Sequence, residues 1–180
     1  MRLCVFCGSR AGVRPEFAAA ARELGTELAA RRIGLVYGGA SVGVMGVLAD
    51  AVLAGEGEAI GVIPHGVFDR EVAHTALTEL HVVHSMHARK ALMADKSDAF
   101  LALPGGLGTF DELFEALTWR QIGLHDKPIG VLDVGGYFSH MLAMVQRAIT
   151  DGFLDVSPIA VVDSSIDRVL RTLLPDAKHR

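Results

Sequence analysis

Cysteine is scarce in this chain. Its two thiols, Cys4 and Cys7, lie three residues apart. That is too few for a disulfide framework, and the second Cys-x-x-Cys pair of a four-thiolate zinc site is missing. The odd spacing within a strand sends the two side chains to opposite faces. Basic residues show no excess. Seventeen Lys and Arg stand against 21 Asp and Glu, for a formal net charge of −4 and a pI near 6.0, the wrong balance for a nucleic-acid footprint. No apolar run reaches the roughly 20 residues of a membrane-spanning helix. The segment Met1–Cys7 is strand-like and lacks a signal-peptide cleavage pattern, so the expected location is a reducing cytoplasm. Also missing are a G-x-S-x-G elbow, the Gly-Lys-Ser/Thr of a P-loop and the spacing of a dinucleotide fingerprint.

What is present is an alternation. Apolar residues make up 51% of 180 residues, with 20 glycines among them, enough for one domain that buries roughly 70% of its unfolded surface. Strand-like runs are predicted at Leu3–Cys7, Ile33–Tyr37, Gly57–Pro64, Glu79–Val83 (the weakest), Asp98–Leu103, Pro128–Asp133 and Ile159–Val162. Helical periodicity is predicted over Pro15–Arg31, Val42–Ala54, Met86–Lys96, Thr109–Gly123, Gly136–Thr150 and Val169–Leu174. Near-continuous apolar strands alternating with helices predict an α/β fold. Its form is a doubly wound, Rossmann-like parallel sheet with helices on both faces, as a single domain over 1–180. The stretch 64–78 is the longest ambiguous connection and is placed as part of a mouth or lid.

Ligands of such sheets bind at the carboxyl ends of the strands, near a topological switch point. Three glycine-bearing turns fall there: Gly8-Ser9, Gly38-Gly39, and Gly105-Gly106-Leu107-Gly108. The third carries most information. It joins the apolar run Ala99–Leu103 to a helix and continues Thr109-Phe110-Asp111-Glu112. Free backbone N–H groups at such a turn cradle an anion, and two carboxylates follow at once. An acid beside a phosphate cradle points to chemistry on a phosphorylated substrate, because for nucleotide binding alone it would repel.

Thr109 and Glu112 also have capping-box spacing, which leaves two roles open for Glu112, a helix cap or a reactive carboxylate. In the second turn Gly39, Gly43 and Gly46 share one helical face, which suits close packing and phosphate contact about equally. Upstream, Arg89 and Lys90 begin a basic pair on a helix whose N-terminal half can reach the same sheet edge. There Arg89 would hold Glu112 ionised or bind substrate oxygens. His81, His84 and His87 recur every third residue but cross a strand-to-helix boundary, and no single metal collects all three. Apolar residues on more than one face of the two central helices (Leu92, Met93, Phe110, Leu113, Phe114, Leu117, Trp119, Ile122) predict a homodimer with the active site near its interface.

The pattern Met86-His87-x-Arg89-Lys90-x-x-Met93 followed by Pro104-Gly105-Gly106-x-Gly108-Thr109-x-x-Glu112 resembles the LOG family. Its members are cytokinin riboside 5′-monophosphate phosphoribohydrolases, and the family has also carried the label lysine decarboxylase. The resemblance extends over nearly the whole chain, through Cys7-Gly8-Ser9, Gly38–Gly46, Thr118-Trp119 and His125-Asp126-Lys127-Pro128. It implies a hydrolase that cleaves the N-glycosidic bond of a nucleoside 5′-monophosphate, with an N6-modified adenine as the expected base, to free base and ribose 5-phosphate. By position it implies Arg89 and Glu112 as the catalytic pair. As substrate-binding positions it implies Glu71, Lys90, Gly106, Leu107, Gly108, Thr109, Phe110, Asp111 and Thr118, to which the glycine turns add Gly8, Ser9, Gly38, Gly39 and Gly105. No metal or organic cofactor is implied. This sequence departs from the family pattern at Ala40 (usually glycine), Ala88 (often Glu or Gln) and Asp111 (commonly Glu). Two rival classes are a non-catalytic nucleotide-binding module of the same fold, in which Glu112 is only a cap, and a lysine decarboxylase, which needs pyridoxal phosphate on a lysine that no motif here announces.

Overall fold

The computed structural model describes residues 1–65, 73–155 and 159–175. Seven strands of three to six residues, most of them apolar runs, form the sheet: β1 Arg2–Phe6, β2 Gly34–Tyr37, β3 Ala59–Pro64, β4 Glu79–Val83, β5 Ala99–Ala102, β6 Ile129–Leu132 and β7 Val161–Asp163. Among the described residues six helices alternate with them: α1 Pro15–Ala30, α2 Gly43–Ala54, α3 Met86–Asp95, α4 Leu107–Gln121, α5 Ser139–Thr150 and α6 Ile166–Leu173. All strand pairs are parallel, in the order β4-β3-β2-β1-β5-β6-β7. This is the expected doubly wound sheet.

Period-two alternation splits the core into two layers. Leu3, Val5 and Cys7 face one side with Leu24, Leu28, Leu48, Val52 and Val169, so α1, α2 and α6 cover that face. Cys4 and Phe6 face the other with Met93, Leu113, Leu117 and Phe138, which places α3, α4 and the start of α5 there. The two cysteines therefore lie on opposite faces, as their spacing requires. Edge strand β4 alternates half-buried and exposed residues, which explains its weak apolar signal.

The chain leaves β1 toward β2 on one side and reaches β5 on the other. The switch point therefore falls between β1 and β5, where Leu3 pairs with Ala99 and Phe6 with Ala102. Turns after neighbouring strands meet across this gap: the Gly8 N–H donates to the Pro104 carbonyl at 3.2 Å, and the Met45 N–H donates to the Gly8 carbonyl at 3.1 Å.

Candidate functional site

A cleft of about 600 Å³ opens at the switch point, within the roughly 300–1,000 Å³ range of small-molecule sites. Gly8 and Ser9 form one side, Gly105–Thr109 another, and Val44, Met45 and Met86 an apolar wall, with Arg89 and Glu112 facing the same space. A second hollow of about 570 Å³ lies at the amino ends of the strands, lined by Arg2, Glu58, Lys96 and Asp98 among others. Its charges largely satisfy one another: Arg2 holds Glu58 at 2.8 Å, and its N–H donates to Asp98. The candidate site is therefore the first cleft.

Arg89 and Glu112 form an ion pair at 3.2 Å with side chains only 8% and 4% exposed. Burying two charges costs several kcal/mol per ion, so the pair exists only because its surroundings are built for it. Ser85 caps α3 by accepting from the Ala88 N–H. One helical turn on, the Arg89 Nε donates to the Val62 carbonyl at 3.0 Å. A Cβ at Gly38 would overlap the guanidinium, so that glycine leaves room for the arginine rather than lining the cleft.

The capping-box reading of Thr109 and Glu112 is corrected by the helix start. Helix α4 begins at Leu107 with Gly106 as N-cap and no side-chain cap bond, two residues before the predicted Thr109. Thr109 is therefore the third helical residue, and Glu112 points inward to Arg89. The first N–H groups of an α-helix have no partner within the helix and carry its positive dipole end. Here they belong to Gly106–Thr109, all lining the cleft. Thr109 is 2% exposed, and among the described residues its hydroxyl oxygen has no hydrogen-bond partner. A buried hydroxyl with no partner, beside open helical N–H groups, makes a ready set of donors for an anion.

In the Gly38–Gly46 turn packing prevails. Helix α2 starts at Gly43, so Gly39 lies outside it. A Cβ on Gly43 would overlap the Ser9 backbone, and one on Gly46 the Ser41 carbonyl. Gly39, with φ of 81°, gives its carbonyl to the His74 N–H.

Several expected positions face elsewhere. Lys90 pairs with Asp111 and Glu115, each at 3.0 Å, outside the cleft. Its burial opposes the charge, but the two carboxylates outweigh it and raise the ammonium pKa. Phe110 packs among aromatic rings, and exposed Thr118 donates to the Phe114 carbonyl. Glu71 lies outside the described residues. Sequence reasoning missed Tyr137, whose hydroxyl donates to the Gly105 carbonyl from the loop after β6. Cys7 lines the cleft, but burial first and the charge of Glu112 second push its thiol pKa far up, which removes it as a nucleophile. Glu112 is the one carboxylate lining the cleft among the described residues.

A family model described as "Possible lysine decarboxylase" matches residues 45–172. Cytokinin riboside 5′-monophosphate phosphoribohydrolase LOG1 of Arabidopsis thaliana is 51% identical over 159 residues, covering 88% of this chain and 74% of that protein. A probable enzyme of the same description from Oryza sativa subsp. japonica, LOGL9, is 52% identical over 156 residues, 87% of this chain and 69% of that one. Among solved structures, the molybdenum cofactor binding protein from Rippkaea orientalis superposes with a TM-score of 0.70 at 23% identity, covering 94% of this chain and 93% of that one, a likeness of fold. The decarboxylase label does not fit the residues present. Pyridoxal phosphate needs a lysine at the site with a lowered pKa. Of the described lysines, Lys90 is paired with two acids, Lys96 bonds Glu79, and Lys127 donates to the Ala94 carbonyl, and none lines the cleft. With its central motifs gathered around one cleft and about half of its residues shared with these enzymes, the chain belongs to the LOG family of phosphoribohydrolases.

Proposed function

We propose that the protein hydrolyses the N-glycosidic bond of a nucleoside 5′-monophosphate, with an N6-modified adenine as the base. The observation that carries this reading is the buried Arg89–Glu112 pair, which shares one cleft with an open helix N-terminus. The 5′-phosphate occupies the cradle of Gly105–Thr109, taking N–H donors and the Thr109 hydroxyl. That anchor holds the ribose so that C1′ meets Glu112. Cleavage passes through an oxocarbenium-like cation, which a carboxylate stabilises while orienting water. The bond from C1′ to the base nitrogen breaks with its electron pair leaving on the base, the water oxygen joins C1′, and the proton that water loses is balanced by the one the base nitrogen takes up, giving free base and ribose 5-phosphate. Arg89, 3.2 Å away, balances the charge of Glu112 and aims its carboxylate.

We also propose a homodimer with a shared site. Lys90, Asp111 and Thr118 face away from their own cleft, and Phe114, Trp119 and Ile122 are only partly covered. Facing a second copy, this surface completes the partner's base pocket. Light scattering at micromolar concentration then gives twice the chain mass, and a fully active monomer refutes the arrangement.

The test of the activity compares steady-state rates on AMP, on N6-isopentenyladenosine 5′-monophosphate and on the two free ribosides. The expected result is release of base from the monophosphates with little from the ribosides. Equal kcat/KM for a riboside and its monophosphate removes the phosphate anchor, and no turnover on any of the four removes the hydrolase.

A further inference from the structure

The loop after β6 reaches the cleft from a side that no sequence motif marks. Gly135 and Gly136 have φ of 58° and 73°, a left-handed turn that glycine adopts without strain. The Phe138 N–H donates to Asp133 Oδ1 at 2.8 Å, and Arg14 donates to the Gly135 carbonyl at 3.4 Å. These ties swing Tyr137 back toward the turn after the neighbouring strand β5. Its ring packs edge-on to Phe17 and Phe138, with centroids 5.5 and 5.0 Å away, and parallel to Phe110 at 6.4 Å. Its hydroxyl donates to the Gly105 carbonyl, and Tyr137 itself borders the cleft.

A trans peptide is planar, with its C=O and N–H pointing in opposite directions. A donor that holds the Gly105 oxygen therefore turns the Gly106 N–H the other way. The preceding peptide is held likewise, because the Gly8 N–H donates to the Pro104 carbonyl. Loops after β1 and β6 thus clamp two successive peptides of one turn from two sides. The turn has little slack, since a Cβ on Gly105 would overlap the Thr109 hydroxyl and crowd the Gly8 nitrogen. Next along the chain come the open N–H groups of α4.

We propose that Tyr137 is a positioning residue of the anion cradle: through Gly105, its hydroxyl sets the direction of the Gly106 N–H toward a bound phosphate group. This rests on the reading of the cradle as the phosphate site. In this role Tyr137 acts through the Gly105 peptide rather than on the reacting carbon, so its effect falls on binding.

The test is Tyr137→Phe in the full chain, which keeps the ring and removes the donor. Calorimetric titration with inorganic phosphate, kcat and KM on AMP, and Tm are measured together. Loss of one hydrogen bond should raise the phosphate Kd and the AMP KM about three- to tenfold. Values of kcat should stay within about twofold. As a control, Phe138→Leu loosens the packing beneath Tyr137 but keeps the hydroxyl, and should lower Tm with phosphate affinity nearly unchanged. An unchanged phosphate Kd in Tyr137→Phe overturns the proposal. So does an equal loss of phosphate affinity in Phe138→Leu, which would make packing the cause, or a fall confined to kcat. If the wild-type protein binds phosphate but turns over no monophosphate, the hydrolase reading falls, while a weakened phosphate Kd in Tyr137→Phe still supports positioning. Wild-type protein that binds no phosphate overturns the cradle and with it the positioning role of Tyr137, while the hydrolase reading stands or falls on the turnover assay.

Discussion

Two glycine-rich turns follow the strands on either side of β1 and use their glycines in opposite ways. In the Gly38–Gly46 turn three of the four missing side chains make room for another part of the chain: Gly38 for the Arg89 guanidinium, Gly43 for the Ser9 backbone, Gly46 for the Ser41 carbonyl, while Gly39 supplies a positive φ of 81°. In the Gly105–Gly108 turn only Gly105 is crowded. A Cβ on Gly106 or Gly108 would meet nothing within 4 Å. Glycine density alone therefore does not separate a packing turn from an open one, whereas the space in front of each glycine does. In the Gly105–Gly108 turn that space lies open at a helix N-terminus, where the proposed phosphate would sit.

The largest effect that would break this contrast belongs to the pair between the two turns. Glu112→Gln removes the carboxylate while keeping its size, and kcat should fall on the order of 10²–10³-fold. Because the capping role is excluded, the accompanying loss in Tm comes from the uncompensated Arg89 charge rather than from helix fraying. Near-wild-type turnover in a steady-state assay would make Glu112 structural.

Next comes the direct comparison of the turns. Gly43→Ala forces a Cβ into the Ser9 backbone at a φ of 64°, and chemical denaturation should show a loss of about 3 kcal/mol or more. Gly108→Ala, in a helix and facing open space, should leave stability equal or higher by up to about 1 kcal/mol, yet raise KM for a monophosphate. If Gly108→Ala binds substrate normally, the open space is not the phosphate site.

Gly38→Ala tests the arginine's place. It should displace the guanidinium and lower kcat/KM about tenfold or more, with a cost of about 1–3 kcal/mol for overpacking. Normal kinetics in this variant would show that Arg89 can act from another position.

The smallest effect lies far from both turns. Hydrogen bonds from Arg168 first, and then from the Ser165 N–H, lower the Asp163 pKa from its ordinary 3.8 to about 2. A lowered folded-state pKa gives stability that is present above about 3.8 and lost as pH falls through about 2. Asp163→Asn should therefore flatten the acid limb of stability slightly in that window and leave activity at neutral pH unchanged. A neutral-pH activity loss would tie β7 to the site.

Most of this architecture was legible because buried parallel strands need apolar runs and helices need a 3.6-residue period. Boundaries slipped where glycine or serine decides them. The start of α4 is set by extended Gly106, so the more conspicuous Thr109 misled by two residues. The left-handed Gly135–Gly136 turn delays α5 to Ser139, later than the predicted Gly136. Ser165 caps α6 and starts it at Ile166, earlier than the predicted Val169. Arg89 and Glu112 could be paired from sequence because their motifs are specific. Tyr137 could not be found that way, since its hydroxyl reaches Gly105 only after β6 has joined β5. Nor could spacing show that Lys90 turns toward Asp111 and Glu115, a choice made by helix–helix geometry.

The central pairing of β1 with β5 also bears on how the protein folds. Leu3 meets Ala99 across more than half the chain, a loop closure that gains contacts only after most of its entropy has been lost. Local units such as α1 against α2 can collapse beforehand, but the cleft has no existence until this seam is closed. A molecule that grips both the Gly8 loop and the start of α4 therefore acts as a clasp across the seam. It should slow unfolding and leave early refolding events unaltered.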